Sequence, residues 1–402
     1  MKIAARTQVG IIGAGPSGLL LARLLTQRGI DVVVLERRSR DYVEGRIRAG
    51  VLEQGSAAVL DSAGAAERMR IDGVEHDGVQ IAFNGRIERI DLQRYTRMPV
   101  IVYGQTQVTK DLYQLNRLDD ISIHYEVQAS GVTGLDEGAA RIHYQEAGRE
   151  LELVCDFVAG CDGYHGVSRQ SIPAEVLRTY EKTYPFGWLG VLSNTRPASP
   201  ELIYTNHERG FALCSQRSAT VSRNYIQVAT DDSVETWSDT AFWDELRRRV
   251  PAEVADTLQT GPSIEKSIAP LRSFIAEPLR YGRLFLVGDS GHIVPPTGAK
   301  GLNLAVSDTA MLASALKAYY ADGDAQGIDR YSTVALKRVW QAQRFSWWFT
   351  MATHRLADSV FDQRMQIADL DYFTGTEAGR TSIAENYVGL PIEDPVTGHS
   401  LP

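Results

Sequence analysis

Three glycines near the start of the chain are spaced to bind a dinucleotide. Gly13, Gly15 and Gly18 form the pattern GxGxxG, and Glu36 ends the next apolar run. The first glycine allows a tight turn, the second lets the backbone approach a pyrophosphate, and the third lets a helix pack closely on a strand. The N–H groups at the start of that helix, including Ser17, favour phosphate, and the acid can accept hydrogen bonds from ribose hydroxyls. The pattern predicts a dinucleotide site but does not distinguish FAD from NAD.

A second group of chemically useful residues alternates along the strand-like segment FALCSQR. Successive side chains of a strand point to opposite faces, so Phe211, Leu213, Ser215 and Arg217 share one face. A guanidinium beside a hydroxyl on an apolar face suits a small carboxylate. A buried arginine without an anion is costly, so a partner is expected. The residues alone leave a second interpretation open, in which Arg217 pairs with an acid of the protein.

The elements that must position these residues follow from the periodicity of the apolar side chains. Residues 8–12 and 31–35 are predicted as strands around a helix at 17–27, which makes a βαβ unit. A further strand is predicted at 283–289 and a helix at 302–320. The aromatic, alternating stretch 184–267 predicts antiparallel strands. From residue 330 onward the pattern is mostly helical, and the final nine residues are expected to fray.

Composition excludes several classes of protein. The chain has 402 residues, 44% of them hydrophobic, and a formal net charge of -8, which disfavours nucleic acid and anionic membranes as partners. Its three cysteines are widely spaced, so we expect neither a disulfide framework nor a metal site. The N-terminus lacks the pattern of a signal peptide, and no apolar run approaches the roughly 18 residues of a membrane span. We therefore expect a cytoplasmic protein.

Two later segments carry a resemblance to a known family. AGCDGYHGVSRQ contains Asp162, and RLFLVGDSGHIVPPTGAKGLNLAVSD contains Asp289. They resemble the DG and GD motifs of the class A flavoprotein aromatic monooxygenases, which implies FAD as the cofactor. Five further segments are similar to the branch of this family that hydroxylates 4-hydroxybenzoate: GRIRAGVLEQG, SQRSAT, EKSIAPLRSF, RFSWW and AENYVGLP.

The resemblance implies a mixed α/β fold with three parts. These are a Rossmann-like FAD-binding βαβ domain, an inserted antiparallel-sheet substrate domain and a helical C-terminal region. The expected FAD-binding domain comprises residues 1–75, 100–180 and 268–320, the substrate domain 76–99 and 181–267, and the helical region 321–402. The resemblance also implies a homodimer.

The implied reaction is hydroxylation of 4-hydroxybenzoate to 3,4-dihydroxybenzoate with NAD(P)H and O2, through a flavin C4a-hydroperoxide that attacks the phenolate. By resemblance, Ser215, Arg217 and Tyr225 hold the substrate carboxylate. Tyr204 and Tyr387 relay the phenol proton through water, and a histidine with a pKa near neutral can exchange that proton with solvent. The remaining implied catalytic residues are His76 at the end of the relay, the Pro296 carbonyl at the substrate hydroxyl, and Asn303, which responds to flavin reduction.

The resemblance also implies which residues contact FAD and the reductant. Arg223 is expected to act in flavin movement, to which Lys300 is also linked. The implied FAD residues are Gly13, Gly15, Ser17, Gly18, Glu36, Arg46, Arg48, Gln105, Asp162, Arg223, Asp289, Gly298, Leu302 and Asn303. The implied NAD(P)H residues are Arg37, Arg38, Tyr42, Arg48, Arg169 and Arg272.

The choice between NADH and NADPH stays open at the sequence level. Arg37, Arg38 and Arg40 can pair with a 2′-phosphate, whereas Asp41 and Glu44 oppose one. Three other functions also compete with the implied one. They are hydroxylation of a different phenol such as 3-hydroxybenzoate, a regulatory flavoprotein without turnover, and an NAD-dependent dehydrogenase.

Overall fold

The structure is a computed structural model that describes residues 2–45, 50–356 and 359–401, with side chains from Arg6 onward. Arg46 and Arg48, both expected at the cofactor, lie outside the described residues. The helices are α1 Pro16–Thr26, α2 Arg40–Glu44, α3 Gln54–Ser62, α4 Glu67–Asp72, α5 Leu92–Thr96, α6 Gln105–Leu118, α7 Asp239–Arg249, α8 Ala252–Thr257, α9 Gly301–Asp322, α10 Gln326–Thr353, α11 Val360–Gly375 and α12 Glu377–Val388.

The strands belong to two large sheets and one small sheet. They are β1 Lys2–Ile12, β2 Val32–Glu36, β3 Val51–Leu52, β4 Val74–His76, β5 Gly78–Phe83, β6 Arg86–Asp91, β7 Val100–Val102, β8 Ser122–Tyr125, β9 Gln128–Thr133, β10 Ala140–Glu146, β11 Arg149–Gly160, β12 Arg178–Ser193, β13 Ile203–Thr205, β14 Ala212–Ser218, β15 Val221–Ala229, β16 Ser263–Glu277, β17 Arg280–Tyr281, β18 Leu284–Leu286 and β19 His292–Ile293.

The first large sheet has a parallel centre in the order β18-β11-β1-β2-β8. The centre is apolar on both faces, as parallel strands covered by helices require, and Val9, Ile11 and Val34 are fully buried. Antiparallel strands β17, β10 and β9 extend it. Since the carboxyl ends of parallel strands meet at one edge, the turns after β1, β11 and β18 lie together there.

The second large sheet has the order β19-β16-β12-β15-β14-β13-β5-β6 and is antiparallel except where β13 pairs with β5. One of its faces shares a core with the small sheet β3-β7-β4 and with helices α10, α11 and α12. Helices α7 and α8 cover the other face. In the described part of the chain, no helix combines the length and the apolarity that a bilayer crossing needs.

The predicted α/β fold class is confirmed, but some sequence predictions were incomplete or wrong. The 184–267 stretch, predicted as strands alone, also contains α7 and α8, whose amphipathic pattern is masked by charges such as the run at residues 247–249. The expectation that the tail frays was wrong, because Asp394 N donates to His399 O at 2.7 Å and Leu401 N to Ile392 O at 2.7 Å. Strands β12 and β16 cross the expected boundaries at 181 and 268, and those domain limits stay predictions.

A buried histidine lies at the centre of the aromatic core beneath the second sheet. The His354 ring stacks on Phe211 at 4.1 Å between centroids and on Phe186 at 4.8 Å. Its Nε2 accepts from Trp188 Nε1 at 2.7 Å, and its Nδ1 donates to Thr350 O at 3.0 Å. Burial lowers the pKa of His354 to about 3, although the Thr350 carbonyl opposes this. The ring is therefore neutral in the folded protein.

This histidine should make the protein less stable in mild acid. Below about pH 6.5 the unfolded chain protonates this residue and the folded chain does not, so stability falls by up to about 1.4 kcal/mol per pH unit as pH drops toward the folded pKa. In His354→Phe this contribution is absent, so its free energy of unfolding should fall less than that of the unchanged protein between pH 7 and 5.5. Urea titrations at both pH values measure the difference, with exposed His165→Phe as the control. Equal pH dependence in the unchanged protein and His354→Phe would contradict the assignment.

Candidate active site

The glycine turn after β1 has the geometry expected of a pyrophosphate cradle. Gly13 has a φ of +104°, and a side chain there would collide with the carbonyl of Cys161. A side chain at Gly18 would collide with the Gly13 carbonyl, so α1 can approach β1 only through this glycine. Gly15 faces open space, and within the described part of the chain no side-chain hydrogen bond caps α1. The N–H groups of the first turn of α1, which includes Ser17, are therefore available to an anion.

Glu36 fastens the glycine turn to the end of β2. Its Oε2 accepts from Ala14 N at 2.7 Å and its Oε1 from Arg38 N at 2.8 Å. A carboxylate has further lone pairs, so these two hydrogen bonds leave acceptor capacity for a ribose hydroxyl. Glu36 thus fixes the conformation of the glycine turn and can still accept a hydrogen bond from a ribose hydroxyl, as expected.

The DG and GD segments converge on this turn. Cys161 N donates to Ile12 O at 2.8 Å, which joins the DG segment to the end of β1. Ser290 of the GD segment donates through Oγ to Gly160 O at 2.6 Å. A side chain at Gly288 would come within 3.0 Å of Ser17 Oγ, so the third segment also approaches the first turn of α1. All three predicted FAD segments therefore line one edge of the parallel sheet.

Asp162 of the DG segment and Asp289 of the GD segment lie in different local structures. Asp162 Oδ2 accepts from both the N and the Oγ of Ser168, each at 2.9 Å, while its buried Oδ1 has no partner among the described residues. Burial raises the pKa of Asp162, and the Ser168 hydrogen bonds oppose this shift. Asp289 lies on the single 3-10 turn Gly288–Ser290, where the GD segment faces the cofactor edge.

A second uncapped helix start adjoins the GD segment. Helix α9 begins at Gly301, no side chain caps it, and Leu302 lies in its first turn. The preceding loop turns at Gly298, with a φ of +85°, and at Ala299, with a φ of +55°. Gln105 is the first residue of α6, another helix start without a side-chain cap. Open glycines and uncapped helix starts fit the phosphates and polar ring edge of FAD, so the described residues suit this cofactor.

A row of side chains on β13, β14 and β15 runs across the antiparallel sheet, and Arg217 lies at one end of it. The row comprises Arg217, Ser215, Tyr225, Leu213 and Tyr204. Arg217 Nη1 donates to Gln216 O at 2.8 Å and its Nη2 lies 3.5 Å from the Tyr225 hydroxyl. Its Nε is buried without a partner, and among the described residues no carboxylate pairs with Arg217. Burial lowers the pKa of Arg217, and the Tyr225 hydroxyl opposes this. The interpretation in which Arg217 pairs with an acid of the protein is thus wrong for the part of the chain that the structure describes.

Ser215 and Arg223 neighbour the Arg217 guanidinium, and both side chains already have partners within the protein. The Ser215 hydroxyl donates to Arg223 O at 2.5 Å, so it must turn before it can donate to a ligand. The Arg223 guanidinium forms an ion pair with Glu265 and donates to Ser267 Oγ at 3.1 Å. It also lies over the Tyr225 ring, 5.3 Å from the centroid. Arg223 therefore braces Tyr225 in the structure, and its expected contact with FAD stays a prediction.

Tyr204 and Tyr387 meet at the other end of the row although 183 residues separate them. Their hydroxyl oxygens are 3.2 Å apart, and both rings are buried. Burial raises the pKa of Tyr204 to about 12, with hydrogen bonds from Tyr387 and the Gly298 backbone opposing. Burial raises the pKa of Tyr387 well above its usual value too. Pro296 O accepts from Ala299 N at 2.9 Å in the same loop as Gly298.

Strand register places Tyr204 and Tyr225 on one face of the sheet, and Arg217, at a register irregularity between Gln216 and Ser218, reaches the Tyr225 hydroxyl at 3.5 Å. Tyr204 pairs with Leu213 across β13 and β14, and Leu213 pairs with Tyr225 across β14 and β15. Side chains of directly opposed residues point to the same face. Tyr204, Tyr387 and Tyr225 also share one apolar core. The cation at Arg217 and the paired phenols therefore flank the same apolar surface, which fits a small aromatic acid.

His76 is buried on β4, apart from the tyrosine pair. Its Nε2 lies 2.5 Å from Gln216 Nε2, and its Nδ1 has no partner among the described residues. Burial lowers the pKa of His76, whereas Glu201 and Asp77 oppose this. Sequence reasoning missed Gln216, because a neutral amide next to the carboxylate arginine carries no signal of its own.

A buried charge cluster that the sequence did not predict supports the loop before α9. Lys300 Nζ donates to Glu53 Oε1 at 2.7 Å and to Tyr387 O at 2.9 Å. Arg338 Nη2 donates to Glu53 Oε2 at 2.7 Å, so one carboxylate is shared by two cations. Asn303 Oδ1 accepts from Glu53 N at 2.9 Å. Burial lowers the pKa of Lys300, although Glu53 opposes this, and the cluster holds Lys300 against the backbone of Tyr387.

A second buried pair that was not predicted from the sequence, Asp308 and His292, contacts the GD segment. Asp308 Oδ2 accepts from Gly288 N at 2.9 Å and lies 2.6 Å from His292 Nε2. Burial alone would lower the pKa of His292, but the Asp308 carboxylate outweighs it and raises the pKa. The acid in the otherwise apolar run of α9 was the available sequence signal.

The residues expected at NAD(P)H fall into two groups. Arg169 and Arg272 lie on the Tyr164 ring, at 4.9 Å and 4.6 Å from its centroid. Arg38 lies over the Tyr42 ring at 5.0 Å, and all of residues 37–42 are exposed. Within the described residues, no hydrogen bond, ion pair or cation–π contact joins the two groups. Their role with the reductant stays a prediction.

Comparison with known proteins identifies the family. Residues 6–346 match the family described as FAD binding domain. The fold is that of a p-nitrophenol 4-monooxygenase from Pseudomonas putida, with a TM-score of 0.76, 21% identity and coverage of 97% of this chain and 99% of that one. The chain therefore belongs to this family, as a class A flavoprotein monooxygenase. The predicted family, fold class and FAD cofactor are confirmed.

Among curated relatives, the chain is similar to the p-hydroxybenzoate hydroxylase of Acinetobacter baylyi. The two are 53% identical over 390 residues, which is 96% of each chain. A 6-methylpretetramide 4-monooxygenase from Streptomyces rimosus is 29% identical, over 76% of this chain and 73% of that relative.

Proposed function

We propose that this flavoprotein hydroxylates 4-hydroxybenzoate to 3,4-dihydroxybenzoate with NAD(P)H and O2. The observation that carries the proposal is the row on the antiparallel sheet, with a guanidinium at Arg217 that forms no ion pair within the described residues and two hydrogen-bonded phenols at Tyr204 and Tyr387. A para-substituted aromatic acid presents an anion and a hydroxyl at opposite poles, which matches the two ends of this row. The similarity to a p-hydroxybenzoate hydroxylase supports the same substrate.

The carboxylate end is built to bind and orient the substrate. Arg217 offers two nitrogen donors to a carboxylate, and such charge-assisted pairs are stronger than neutral hydrogen bonds. Tyr225 donates from the same face, and its ring is held from behind by Arg223. Ser215 can add a third donor once its hydroxyl turns from Arg223 O. The substrate anion would also satisfy the buried Nε of Arg217, which is otherwise costly to leave unpaired.

The hydroxyl end is built to move a proton. Since the pKa of Tyr204 is about 12, its hydroxyl stays protonated near neutral pH and can donate to the substrate oxygen. That hydrogen bond favours the phenolate, which is the more nucleophilic form of the ring. When the substrate ionises, Tyr204 accepts its proton and gives its own hydroxyl proton to Tyr387 at 3.2 Å, and His76 exchanges a proton with solvent through bridging water. Tyr204 then donates the proton it accepted as a hydrogen bond to the phenolate. The Pro296 carbonyl positions the substrate hydroxyl.

FAD, when bound, supplies the oxygen chemistry. The first turns of α1 and α9, Glu36, Asp162 and Asp289 would hold it at the edge of the parallel sheet. Lys300 donates to Tyr387 O and directly precedes the first turn of α9, which includes Asn303, so these residues can couple the cofactor to the hydroxyl end. The arginines around Tyr164 and Tyr42 are the surface cations that can attract a reduced nicotinamide nucleotide.

The proposed function is tested by one assay on the purified, FAD-loaded protein. Addition of 4-hydroxybenzoate should stimulate oxidation of NADH or NADPH and yield 3,4-dihydroxybenzoate, identified by chromatography. Parallel reactions with each nucleotide give the donor preference. Reactions with 3-hydroxybenzoate test whether another phenol is preferred. Stimulation without a hydroxylated product, or none with 4-hydroxybenzoate, would overturn the proposal.

The described surface also supports a homodimer. Helix α11 exposes four large apolar side chains, Val360 at 70%, Phe361 at 72%, Met365 at 52% and Tyr372 at 59% of their area, and Phe361 and Met365 are one turn apart on it. Such a stripe is unusual on a monomer, and a second copy of the chain is the occupant that we propose. Light scattering of the FAD-loaded protein should give twice the chain mass of 44.4 kDa. A Phe361→Lys, Met365→Lys double variant should shift toward one chain mass, whereas the isolated exposed position Ile71→Lys should not.

A further inference from the structure

The side-chain amide of Gln216 lies between a backbone carbonyl and the buried ring of His76. Its orientation indicates which ring nitrogen of His76 carries the proton. Gln216 Nε2 is 3.1 Å from Pro200 O and 2.5 Å from His76 Nε2. A backbone carbonyl only accepts hydrogen bonds, so the nitrogen end of the amide must face Pro200. The same NH2 group has a second hydrogen, and this one points at His76.

The orientation of the amide determines the histidine tautomer. If His76 carried its proton on Nε2, two donors would face each other at 2.5 Å. The neutral ring therefore accepts at Nε2 and carries its proton on Nδ1. That Nδ1 is buried and has no partner among the described residues, so its N–H is free to donate.

We propose that Gln216 is a positioning residue that fixes the Nδ1–H tautomer of His76 and thereby directs the hydrogen-bond chain toward the substrate oxygen. The inference rests on the proposed function and deepens it. When His76 donates from Nδ1 to the bridging water, the water donates a hydrogen bond to Tyr387 and Tyr387 donates one to Tyr204. Tyr204 then donates to the substrate oxygen, which is the final acceptor. This arrangement fits a phenolate. The opposite tautomer reverses every hydrogen bond and fits a neutral phenol.

His76 borders the apolar core that contains the tyrosine pair. His76 pairs across the small sheet with Val100, and Val100 packs in the same apolar core as Tyr204 and Tyr387. The Glu201 carboxylate raises the pKa of both His76 and Tyr387, so it lies within electrostatic reach of each. The histidine and the tyrosine pair thus share one neighbouring charge.

The charged groups that face His76 are carboxylates from two elements. Asp77 follows β4, and Glu201 precedes β13. Glu201 is held by Arg89 of β6, which donates from Nε at 2.8 Å and from Nη2 at 2.6 Å. Both acids favour a protonated ring, whereas burial and the Gln216 donor oppose it. Gln216 is the group among these whose orientation separates one neutral tautomer from the other.

The test is the protonation state of bound 4-hydroxybenzoate in the FAD-loaded protein. Phenol and phenolate have different ultraviolet spectra, so difference spectra from pH 6 to 10 give the apparent pKa of the bound substrate. Gln216→Met keeps the shape of the side chain and removes both donors. We expect the apparent pKa to rise by about one pH unit, a roughly tenfold lower ratio of phenolate to phenol. The dissociation constant of the substrate should change less than threefold, because Arg217 is untouched.

A matched control separates the tautomer from simple support of the loop. Gln80 Nε2 donates to Ser199 Oγ at 3.1 Å, next to Pro200, whereas the His76 ring has its hydrogen bond with Gln216. Gln80→Met should leave the apparent pKa of the bound substrate unchanged. Equal shifts in both variants would overturn the proposal, as would no shift in Gln216→Met. If the unchanged protein makes no 3,4-dihydroxybenzoate, the proposed function fails instead.

A second measurement does not depend on a folded variant. Nitrogen-15 spectra of the histidine-labelled, FAD-loaded protein distinguish Nδ1–H from Nε2–H rings by their chemical shifts. Comparison with a His76→Asn sample assigns the signal. An Nδ1–H ring above the pH at which His76 loses its charge supports the proposal, and an Nε2–H ring overturns it.

Discussion

The Arg217→Ala protein should bind 4-hydroxybenzoate about two to three and a half orders of magnitude more weakly than the unchanged protein. Removal of one member of a buried ion pair costs about 3–5 kcal/mol, and each 1.4 kcal/mol is tenfold in affinity. In this variant the substrate carboxylate would enter an apolar row with only the hydroxyls of Tyr225 and Ser215 as donors. Equilibrium titration of the bound FAD absorbance with substrate measures the dissociation constant.

Two control variants test whether the anion and its geometry cause the loss. Arg217→Lys keeps the charge but loses the planar fork, so its affinity should lie between those of Arg217→Ala and the unchanged protein. Arg196→Ala removes an exposed arginine from the connection before β13 and should leave affinity unchanged. With 4-hydroxybenzamide, which lacks the anion, the effect of Arg217→Ala should shrink. An equal loss for acid and amide would show that Arg217 supports the fold and does not bind the carboxylate.

The parts of the site that the sequence predicted are those fixed by local chain geometry. The turn at Gly13 requires a positive φ and a close approach to Cys161, which only glycine permits, so its pattern is visible in a few residues. The alternation that predicts Leu213 and Ser215 on one face follows from the period of a strand, whereas Arg217 lies at a register irregularity between Gln216 and Ser218. Helices α7 and α8 were missed because their apolar faces are short and lie among charged residues.

The parts that the sequence did not predict depend on contacts between distant segments. Glu53 pairs with Lys300 and Arg338, 247 and 285 residues away, and no local period encodes such pairing. Gln216 meets His76 only because β14 and the small sheet pack together. Tyr204 and Tyr387 could be named by resemblance, but their hydrogen bond is a property of the folded chain. Long-range polar contacts in a core are satisfied by whichever residues the packing brings near.

The Tyr204→Phe protein should still oxidise NAD(P)H in the presence of 4-hydroxybenzoate but should form little hydroxylated product. The variant keeps the ring and loses the hydroxyl that takes the substrate proton. General acid–base groups contribute about 10²–10⁴-fold to a step, so hydroxylation should fall at least tenfold relative to nucleotide oxidation, with H2O2 as the alternative product. Chromatography of 3,4-dihydroxybenzoate and a peroxide assay on the same samples give the ratio.

Tyr184→Phe is the matched control for loss of a buried phenol hydroxyl. Tyr184 is as buried as Tyr204, and its hydroxyl lies 3.1 Å from Ser273 Oγ in the same apolar core, away from the tyrosine pair. Tyr184→Phe should lower stability by about 1–3 kcal/mol, as Tyr204→Phe should, because Ser273 is left without its partner. It should nevertheless preserve the product ratio. Equal uncoupling in both variants would show that looser packing is the cause, and full coupling in Tyr204→Phe would remove Tyr204 from the proton path.

The pH dependence of Tyr204→Phe separates a proton-transfer role from a positional one. An ordinary phenol ionises near pH 10, so at high pH the substrate reaches the site already as the phenolate and no longer needs the lost hydroxyl. Hydroxylation by Tyr204→Phe should therefore recover as pH rises from 7 toward 9.5, while that of the unchanged protein should not increase. If the hydroxyl served only to align the ring, ionisation of the substrate would not restore coupling, and the product ratio would stay low at every pH.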